Sequence, residues 1–252
     1  MLFHSLEYTI FLVVVFLGYW FMARTRLLRV TFLLVASYLF YAASNPWFIL
    51  LLAGSTVTDY FAALQMVRSE EQSRTTRKRA VLVLSLAVNL GLLGVFKYAN
   101  FFYESVVDVA NLCGAGLVFE RLNILLPAGI SFYTFQTMSY SIDVYRGRIP
   151  AERNFLRFAF FVGFFPQLVA GPIVRAVDFI PQIAKRPFVS RYQMSRALWL
   201  IGIGAFKKVV IADYLAINLV DRVFDAPERF SSFEMLLGLY GYTMQVYMDF
   251  SA

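Results

Sequence analysis

The chain has 252 residues, of which 60% are hydrophobic, 18% aromatic and only 15% charged. A soluble domain carries about 25% charged residues and cannot cover this much apolar surface, so the composition excludes an ordinary soluble protein and predicts a membrane protein. The net charge of +7 is divided among short basic runs between apolar segments. Since nucleic acids require a continuous basic surface, we expect no nucleic-acid partner.

Apolar runs of about 17–25 residues predict membrane-spanning helices. In chain order these runs are Tyr8–Met22, Val30–Ala43, Trp47–Met66, Ala80–Phe96, Ile124–Ile142, Ala197–Val220 and Phe233–Phe250. The first run is preceded by no Lys or Arg, so it is predicted to be a retained span rather than a secretory signal. A weaker stretch, Phe101–Phe119, contains two glycines, and we expect it to lie flat or to dip into the bilayer.

The distribution of charge predicts the orientation of the spans. The segments 23–29, 68–79 and 146–157 are basic, and we predict that they are cytoplasmic loops. The break at 44–46 is uncharged, and the loop Asp221–Arg229 holds three acids and two arginines, so both are predicted to lie outside. This alternation follows the positive-inside bias. It predicts a multi-pass membrane protein with its N-terminus outside.

The stretch Phe155–Gly171 has basic residues on both sides and is followed by Pro172. We therefore expect a re-entrant hairpin, which is tolerated in a membrane only where protein or a water-filled cavity surrounds it. The chain stops directly after its last apolar run. We expect residues 1–252 to form one transmembrane domain that is the N-terminal portion of a longer one.

Polar residues inside the predicted spans fall into stripes. Gln136, Ser139, Tyr140 and Asp143 share one helix face, as do Tyr242, Gln245 and Asp249, and Ser55 precedes Asp59 by one turn. Such residues either hydrogen-bond between helices or line a hydrated cavity. The first interpretation is favoured for Ser55, Ser139 and Tyr140 and the second for Asp143 and Asp249, while Asp59 stays undecided.

Lys207 and Lys208 lie inside a predicted span with Asp213 close by. The separations of six and five residues do not make an i, i+4 pair, so we expect partners on other elements, snorkelling to the headgroups or an anionic ligand. His4 is the only histidine, lies before the first span and is a poor candidate for a catalyst. Cys113 is the only cysteine, and no phosphate loop, Ser/His/Asp set or metal site is predicted.

Four stretches resemble the membrane-bound O-acyltransferase family. They are Leu126–Gln136 with its continuation Ile142–Gly147, Phe164–Arg175, Phe206–Asp213 and Phe96–Phe101. Together they follow the family's order through nearly the whole chain. The resemblance is strongest to members that acetylate polysaccharides such as alginate, and weaker to those that transfer D-alanine to teichoic acid.

This resemblance implies an all-α integral membrane fold, a polytopic bundle of tilted helices around a central funnel with a re-entrant segment. It implies transfer of an acyl group, with acetyl favoured, from a cytosolic thioester donor, which is acetyl-CoA or an acyl carrier. The acceptor is a hydroxyl of an exported polysaccharide or a periplasmic acyl-acceptor protein. It implies no bound cofactor and no metal. The alternatives are D-alanyl transfer to teichoic acid and a membrane transporter or scaffold subunit.

The family's catalytic histidine lies in a Trp-His segment downstream of the motif that Asp249–Ser251 resembles. The resemblance therefore assigns no catalytic residue here, and we expect this chain by itself to be inactive. Gln167 occupies a position where some relatives have histidine, which favours a scaffold or tunnel-lining role for the turn Pro166–Pro172. The funnel-lining candidates are Gln136, Tyr140, Asp143, Pro166, Gln167, Gly171, Pro172, Tyr242, Gln245 and Asp249, and the donor-entrance candidates are Lys207 and Lys208.

Overall fold

The computed structural model describes residues 5–22, 25–114, 116, 118, 120, 122–168, 171, 173–185 and 187–251. All regular secondary structure in these residues is helical, which confirms the predicted all-α class. By length and composition, Phe48–Glu71 and Thr75–Leu112 are each able to cross a bilayer. Both observations agree with the membrane protein that the composition predicts.

The helices follow one another with short connections. They are α1 (Leu6–Phe21), α2 (Arg26–Ala42), α3 (Phe48–Glu71), α4 (Thr75–Leu93), α5 (Ala99–Leu112), α6 (Ile130–Tyr145), α7 (Phe155–Gly163), α8 (Phe165–Leu168), α9 (Ala176–Ala184), α10 (Arg191–Ala205), α11 (Asp213–Leu215), α12 (Asp221–Asp225) and α13 (Ser232–Ser251). The π-helical segments Gly94–Tyr98, Phe206–Ala212 and Ala216–Val220 join neighbouring α-helices without a break. Helices α4 and α5 thus form one rod, and α10 to α12 form another.

The continuous helix Thr75–Leu112 corrects the prediction of a separate flat or dipping segment at Phe101–Phe119. The π-helical turn Gly94–Tyr98 keeps the backbone hydrogen-bonded, so the helix continues through Phe101 to Leu112. It ends where Gly114 adopts a φ of +87°. With 38 residues, this helix is about 57 Å long, well beyond the bilayer's hydrocarbon core of about 30 Å.

The predicted basic loop at 68–79 is mostly helical, which corrects its extent. Helix α3 runs to Glu71 and α4 begins at Thr75, so only residues 72–74 turn the chain, with Ser73 at a φ of +55°. The Lys78 ammonium lies 2.9 Å from the Glu70 carboxylate and over the Tyr145 ring. Charged residues that have partners are readily accommodated in a helix. Hydropathy alone therefore ends α3 too early and begins α4 too late.

Three other boundaries differ from prediction. The span expected from Ile124 begins as a helix only at Ile130, because Pro127 and the left-handed Gly129 (φ +71°) precede it. The span Ala197–Val220 begins earlier, at Arg191, where Ser190 and Gln193 form a capping box. The expected loop Asp221–Arg229 is helical as far as Asp225 and continues into a 3-10 turn.

The chain divides into two compact units, Leu12–Arg186 and Pro187–Ala252 with Leu2–Phe11. In the first unit α3, α4 and α6 pack together, and α7 packs against α2 and α3. Its core is aromatic, with Tyr140 and Phe158 rings 4.7 Å apart. In the second unit α13 packs against the two π-helical segments of the α10–α12 rod, and a side chain at Gly238 or Gly241 would meet Val223 or Leu219.

Large apolar side chains cover the outside of both units. On the Thr75–Leu112 helix, Leu84, Val106 and Leu112 are 64%, 65% and 88% exposed, and on α10 Trp199 is 69% exposed. Apolar surface on this scale drives association in water, whereas lipid tails cover it without cost. These exposed apolar faces agree with the membrane protein that the composition predicts.

A buried polar cluster joins three helices of the first unit. Each helix supplies two residues one turn apart: Ser55 and Asp59 from α3, Ser85 and Asn89 from α4, and Thr137 and Ser141 from α6. All six residues are at most 1% exposed. The i, i+4 spacing places each pair on one face of its helix, and the three faces meet.

Asp59 and Asn89 form the centre of this polar cluster. The Asn89 amide Nδ2 donates to both carboxyl oxygens of Asp59 at 2.9 Å, and the Ser85 hydroxyl donates to Asp59 Oδ1 at 2.6 Å. The Ser55 hydroxyl donates to Asn89 Oδ1 at 3.0 Å. The sequence leaves open whether Asp59 bonds between helices or lines a cavity, and the structure places it in a helix–helix contact.

Replacement of Asp59 by Ala is expected to lower the thermal unfolding midpoint of the protein in detergent micelles. The Ser85 hydroxyl and the Asn89 amide lose an acceptor, and a stranded buried donor costs about 1–3 kcal/mol. Val57→Ala, on the exposed side of the same helix, is the control and should change the midpoint little. Equal midpoints for the two variants would contradict a stabilising role for the cluster.

Candidate functional site

The polar face of α6 is turned into the first unit and bonded to backbone. Gln136 and Tyr140 are 3% and 0% exposed. The Gln136 amide Nε2 donates to the Phe161 carbonyl oxygen at 2.9 Å, and the Tyr140 hydroxyl accepts from the Glu152 N–H at 2.9 Å. Phe161 lies in the last turn of α7, where carbonyls lack partners within the helix. The polar face of α6 therefore holds the C-terminal end of α7 through a hydrogen bond.

Asp143 lies at the outer end of the same face. Its carboxylate is 10% exposed and lies 3.5 Å from the Arg148 guanidinium, which is 55% exposed. The Ser139 hydroxyl donates to the Gln136 carbonyl of its own helix. Gln136, Tyr140 and Asp143 thus share one face, as the spacing predicts, and their place on a substrate path stays a prediction.

The predicted re-entrant stretch is broken in the middle. Helix α7 ends at Gly163, Phe164 is extended, and α8 begins at Phe165, whose N–H donates to the Ser37 hydroxyl at 3.2 Å. A break that exposes backbone groups at membrane depth needs such outside partners. The placement of this stretch in the membrane stays a prediction.

The turn after α8 holds the remaining candidates of the first unit. A Cβ on Gly171 would lie 2.5 Å from the Gln167 Cα and 2.8 Å from the Pro166 carbonyl oxygen, so only glycine fits. Gln167 Oε1 is buried and accepts no hydrogen bond from the described part of the chain. Pro172 and the poor catalyst candidate His4 lie outside the described residues.

In the second unit, Lys208 bridges two carboxylates. Its ammonium lies 2.8 Å from Asp213 and 2.8 Å from Asp249, and all three side chains are about one-third exposed. Asp213 lies five residues further along the same helix, which corrects the expectation that the partners lie on other elements. Residues 206–212 are π-helical, and i→i+5 hydrogen bonding brings residues five apart onto one face. Asp249, on α13, is the partner from another element.

Lys207 has a different environment from its neighbour. Its ammonium donates to the Ser251 carbonyl oxygen at 3.1 Å and to the Ser251 hydroxyl at 3.2 Å. No carboxylate of the residues 5–251 that the structure describes lies within ion-pair distance of it. Lys208 is thus paired with two carboxylates, whereas Lys207 contacts no carboxylate of the described residues.

The other candidates on α13 do not join the lysines. Tyr242 is 48% exposed and packs edge-to-face against Phe224 at 5.9 Å. Gln245 Oε1 is buried and receives no hydrogen bond within the described part of the chain. Of the α13 stripe, the structure brings only Asp249 to a charged group.

The four motif stretches coincide with irregular backbone. Phe96–Phe101 overlaps one π-helical turn and Phe206–Asp213 another, Leu126–Gln136 contains the left-handed Gly129, and Phe164–Arg175 contains the break between α7 and α8. Two of them meet, since the Lys97 ammonium donates to the Ser131 hydroxyl at 3.3 Å. π-helical turns are rare in proteins as a whole, but those that occur are often found at functional sites. These four stretches are therefore the best candidates for functional segments.

Several site residues carry little signal in the sequence. Ser85 with Asn89 and Thr137 with Ser141 are i, i+4 polar pairs in apolar helices, and that spacing could have revealed them. Ser37 and Ser251 could not have been found, because their partners lie 128 and 44 residues away. No group of His, Cys, Asp and Glu suited to a metal ion occurs among the residues that the structure places.

Replacement of Lys208 by Met is expected to lower the unfolding midpoint in micelles, because Asp213 and Asp249 then repel each other. The loss should be about 1 kcal/mol, since the group is partly exposed. Adding Asp249→Asn to Lys208→Met should restore part of the midpoint. An additive or larger loss in the double variant would show that the bridge does not stabilise the α13 contact.

The comparisons with known proteins concern the whole chain. No protein-family model matches it. It is 40% identical over 252 residues to a Pseudomonas aeruginosa protein named "probable alginate O-acetylase AlgI", with 100% of this chain and 47% of the relative covered. It is 38% identical over 252 residues to the protein of that name from Azotobacter vinelandii, with 100% and 49% covered.

A further relative, the peptidoglycan O-acetyltransferase of Helicobacter pylori, is 35% identical over 270 residues, with 96% of this chain and 50% of the relative covered. The chain therefore spans about half the length of the curated relatives it matches. The alginate O-acetylases among these relatives carry the name of the members that the four motif stretches resemble most, whereas those stretches do not predict the peptidoglycan enzyme. The resemblance to the membrane-bound O-acyltransferase family, and within it to alginate O-acetylases, is thereby confirmed along the whole chain.

Proposed function

We propose that this chain is part of a membrane-bound O-acyltransferase that moves an acetyl group from a cytosolic thioester donor to an exported polysaccharide. The observation that carries the proposal is identity of 35–40% to proteins named for O-acetylation of alginate or peptidoglycan. The irregular backbone at all four motif stretches supports it, because π-helical turns are frequent at functional sites.

The proposed reaction exchanges a thioester for an oxygen ester. The acceptor hydroxyl oxygen attacks the thioester carbonyl carbon, the C–S bond breaks, and a general base takes the hydroxyl proton as the thiol leaves. By family resemblance the base is a histidine of a Trp-His segment, which these 252 residues do not contain. The residues present would shape the path and receive the donor.

The donor entrance is the part of this proposal that the geometry sharpens. A thioester donor such as acetyl-CoA, or the phosphopantetheine arm of an acyl carrier, brings negatively charged phosphates. Lys208 is already paired with two carboxylates, whereas Lys207, among the described residues, contacts the neutral oxygens of Ser251. Lys207 is therefore the proposed contact for the donor, and Lys208 positions the helix that carries it.

The acceptor is proposed to be an exported polysaccharide, reached directly or through a periplasmic acyl-acceptor protein. Four of the relatives are Pseudomonas proteins named for alginate and one is named for peptidoglycan. Both polymers lie outside the cytoplasm, so the acyl group has to cross the inner membrane. A hydrated path past α6 and the α7–α8 break, with Gln136 and Gln167 on its wall, would serve this crossing.

A chimera tests the proposed function. These 252 residues replace the aligned part of the Pseudomonas aeruginosa relative in a strain that lacks that protein, and the O-acetyl content of the exported alginate is measured. The chimera should restore O-acetylation, and the 252 residues alone should not. A chimera that accumulates in the membrane but leaves alginate unacetylated would contradict the proposal, and restoration by the 252 residues alone would favour the scaffold reading.

In the same chimera, Lys207→Ala is expected to raise the apparent KM for the thioester donor about tenfold, because one charge-assisted contact is lost. The measurement uses inverted membrane vesicles with radiolabelled acetyl-CoA. Arg191→Ala, an exposed basic residue on the same rod, is the control and should leave the KM unchanged. An unaltered KM in Lys207→Ala would remove the donor-entrance role.

The proposed topology has a multi-pass chain, the N-terminus outside and the turn at 72–74 in the cytoplasm. Since the Thr75–Leu112 helix is about 57 Å long, its far end should emerge on the periplasmic side. Cys113, exposed and without another cysteine, is a natural reporter there. A membrane-impermeant maleimide should label Cys113 in spheroplasts, and should label Ser73→Cys in a Cys113→Ser background only after permeabilisation. The reverse pattern would invert the topology.

A further inference from the structure

An open cavity of about 400 Å³ lies between α1, α2, α7, α8 and α9 in the first unit. Its wall is almost wholly apolar and includes Val15, Leu33, Phe160 and Phe164. Small-molecule sites have this character, an apolar wall of about 300–1,000 Å³ with a few polar groups that fix the orientation of the ligand. Arg29 is the one charged residue in the wall that the structure describes.

Arg29 is a buried cation without a counter-ion. It is 5% exposed, and no carboxylate within the described ranges lies at ion-pair distance from its guanidinium. A guanidinium that snorkels to the headgroups would be exposed, so this burial is not explained by snorkelling. Buried charges are normally paired, because an unpaired charge in an apolar surrounding is costly.

The surroundings of Arg29 hold its guanidinium in place without neutralising it. Nη2 donates to the carbonyl oxygens of Ile183 at 3.2 Å and Lys185 at 3.0 Å, at the C-terminal end of α9. The guanidinium also lies over the Tyr19 ring at 5.7 Å. Helix-end carbonyls and an aromatic face both favour a cation. The group is therefore fixed at the cavity with its net charge available to a ligand.

From this arrangement we infer that the Arg29 cavity binds an anionic phospholipid, with the phosphate at the guanidinium and an acyl chain along the apolar wall. The ligand has to combine one anionic group with an apolar body, because the cavity combines one cation with an apolar wall. Arg29 lies in the first turn of α2 and is the last residue of the basic segment 23–29, which the charge pattern places at the cytoplasmic surface. That surface is where anionic headgroups are found. The inference does not depend on the acyltransferase activity.

The test measures binding of phosphatidylglycerol with brominated acyl chains to the purified chain in micelles, by native mass spectrometry and by quenching of tryptophan fluorescence. The wild type should hold one phosphatidylglycerol and bind phosphatidylcholine at least about tenfold more weakly, because only the former carries a net charge. Arg29→Gln should lose at least about tenfold in affinity for phosphatidylglycerol. Arg26→Gln removes the same charge from an exposed position of α2 and should bind as the wild type does.

A second variant keeps the test decisive if Arg29→Gln fails to fold. Leu33→Phe leaves Arg29 in place and fills the cavity, so it should also weaken binding of phosphatidylglycerol. Equal binding of phosphatidylcholine, or unchanged binding in Leu33→Phe, would overturn the inference. Binding of oleate or inorganic phosphate as tight as that of phosphatidylglycerol would also overturn it, because the ligand would then be a fatty acid or a free anion.

Discussion

The requirement that buried polar groups find hydrogen-bond partners shapes the helix contacts of this structure. Asp59 and Asn89 meet it at the centre of the first unit, where side chains from α3, α4 and α6 saturate one another. Because lipid offers helices little hydrophobic reason to associate, hydrogen bonds and close packing have to specify the arrangement. The polar cluster fixes the register of three helices, and the core aromatic residues then pack around it.

The same requirement explains how the chain tolerates breaks. Where α7 ends, Gln136 binds the free Phe161 carbonyl and Ser37 receives the Phe165 N–H, and where α9 ends, Arg29 binds two carbonyls. The π-helical turns act differently, since they change side-chain spacing without opening the backbone. In the α10–α12 rod the altered spacing brings the Asp213 carboxylate within ion-pair distance of the Lys208 ammonium. At these places another element or an i→i+5 bond satisfies the irregular backbone.

The Lys207–Lys208 site and the Arg29 cavity have different proposed functions. The Lys207–Lys208 site places a cation paired with two carboxylates next to a cation that no described carboxylate contacts, and the second cation is the proposed contact for an anionic donor. The Arg29 cavity joins a fixed cation to an apolar wall, which suits a lipid. The two carboxylates already occupy the Lys208 ammonium, whereas cations held by neutral groups stay available to ligands.

By itself, the sequence determined the membrane class, the all-α fold, the approximate positions of the long apolar helices and the relation to O-acyltransferases, because hydropathy, charge and short motifs are local properties. It placed Gln136, Tyr140 and Asp143 on one face, since helical spacing is also local. Tertiary structure alone decided what that face binds, that α4 and α5 form one helix, and that Arg29 is buried beside a cavity. Those features depend on partners tens to more than a hundred residues away, and on π-helical turns that packing stabilises.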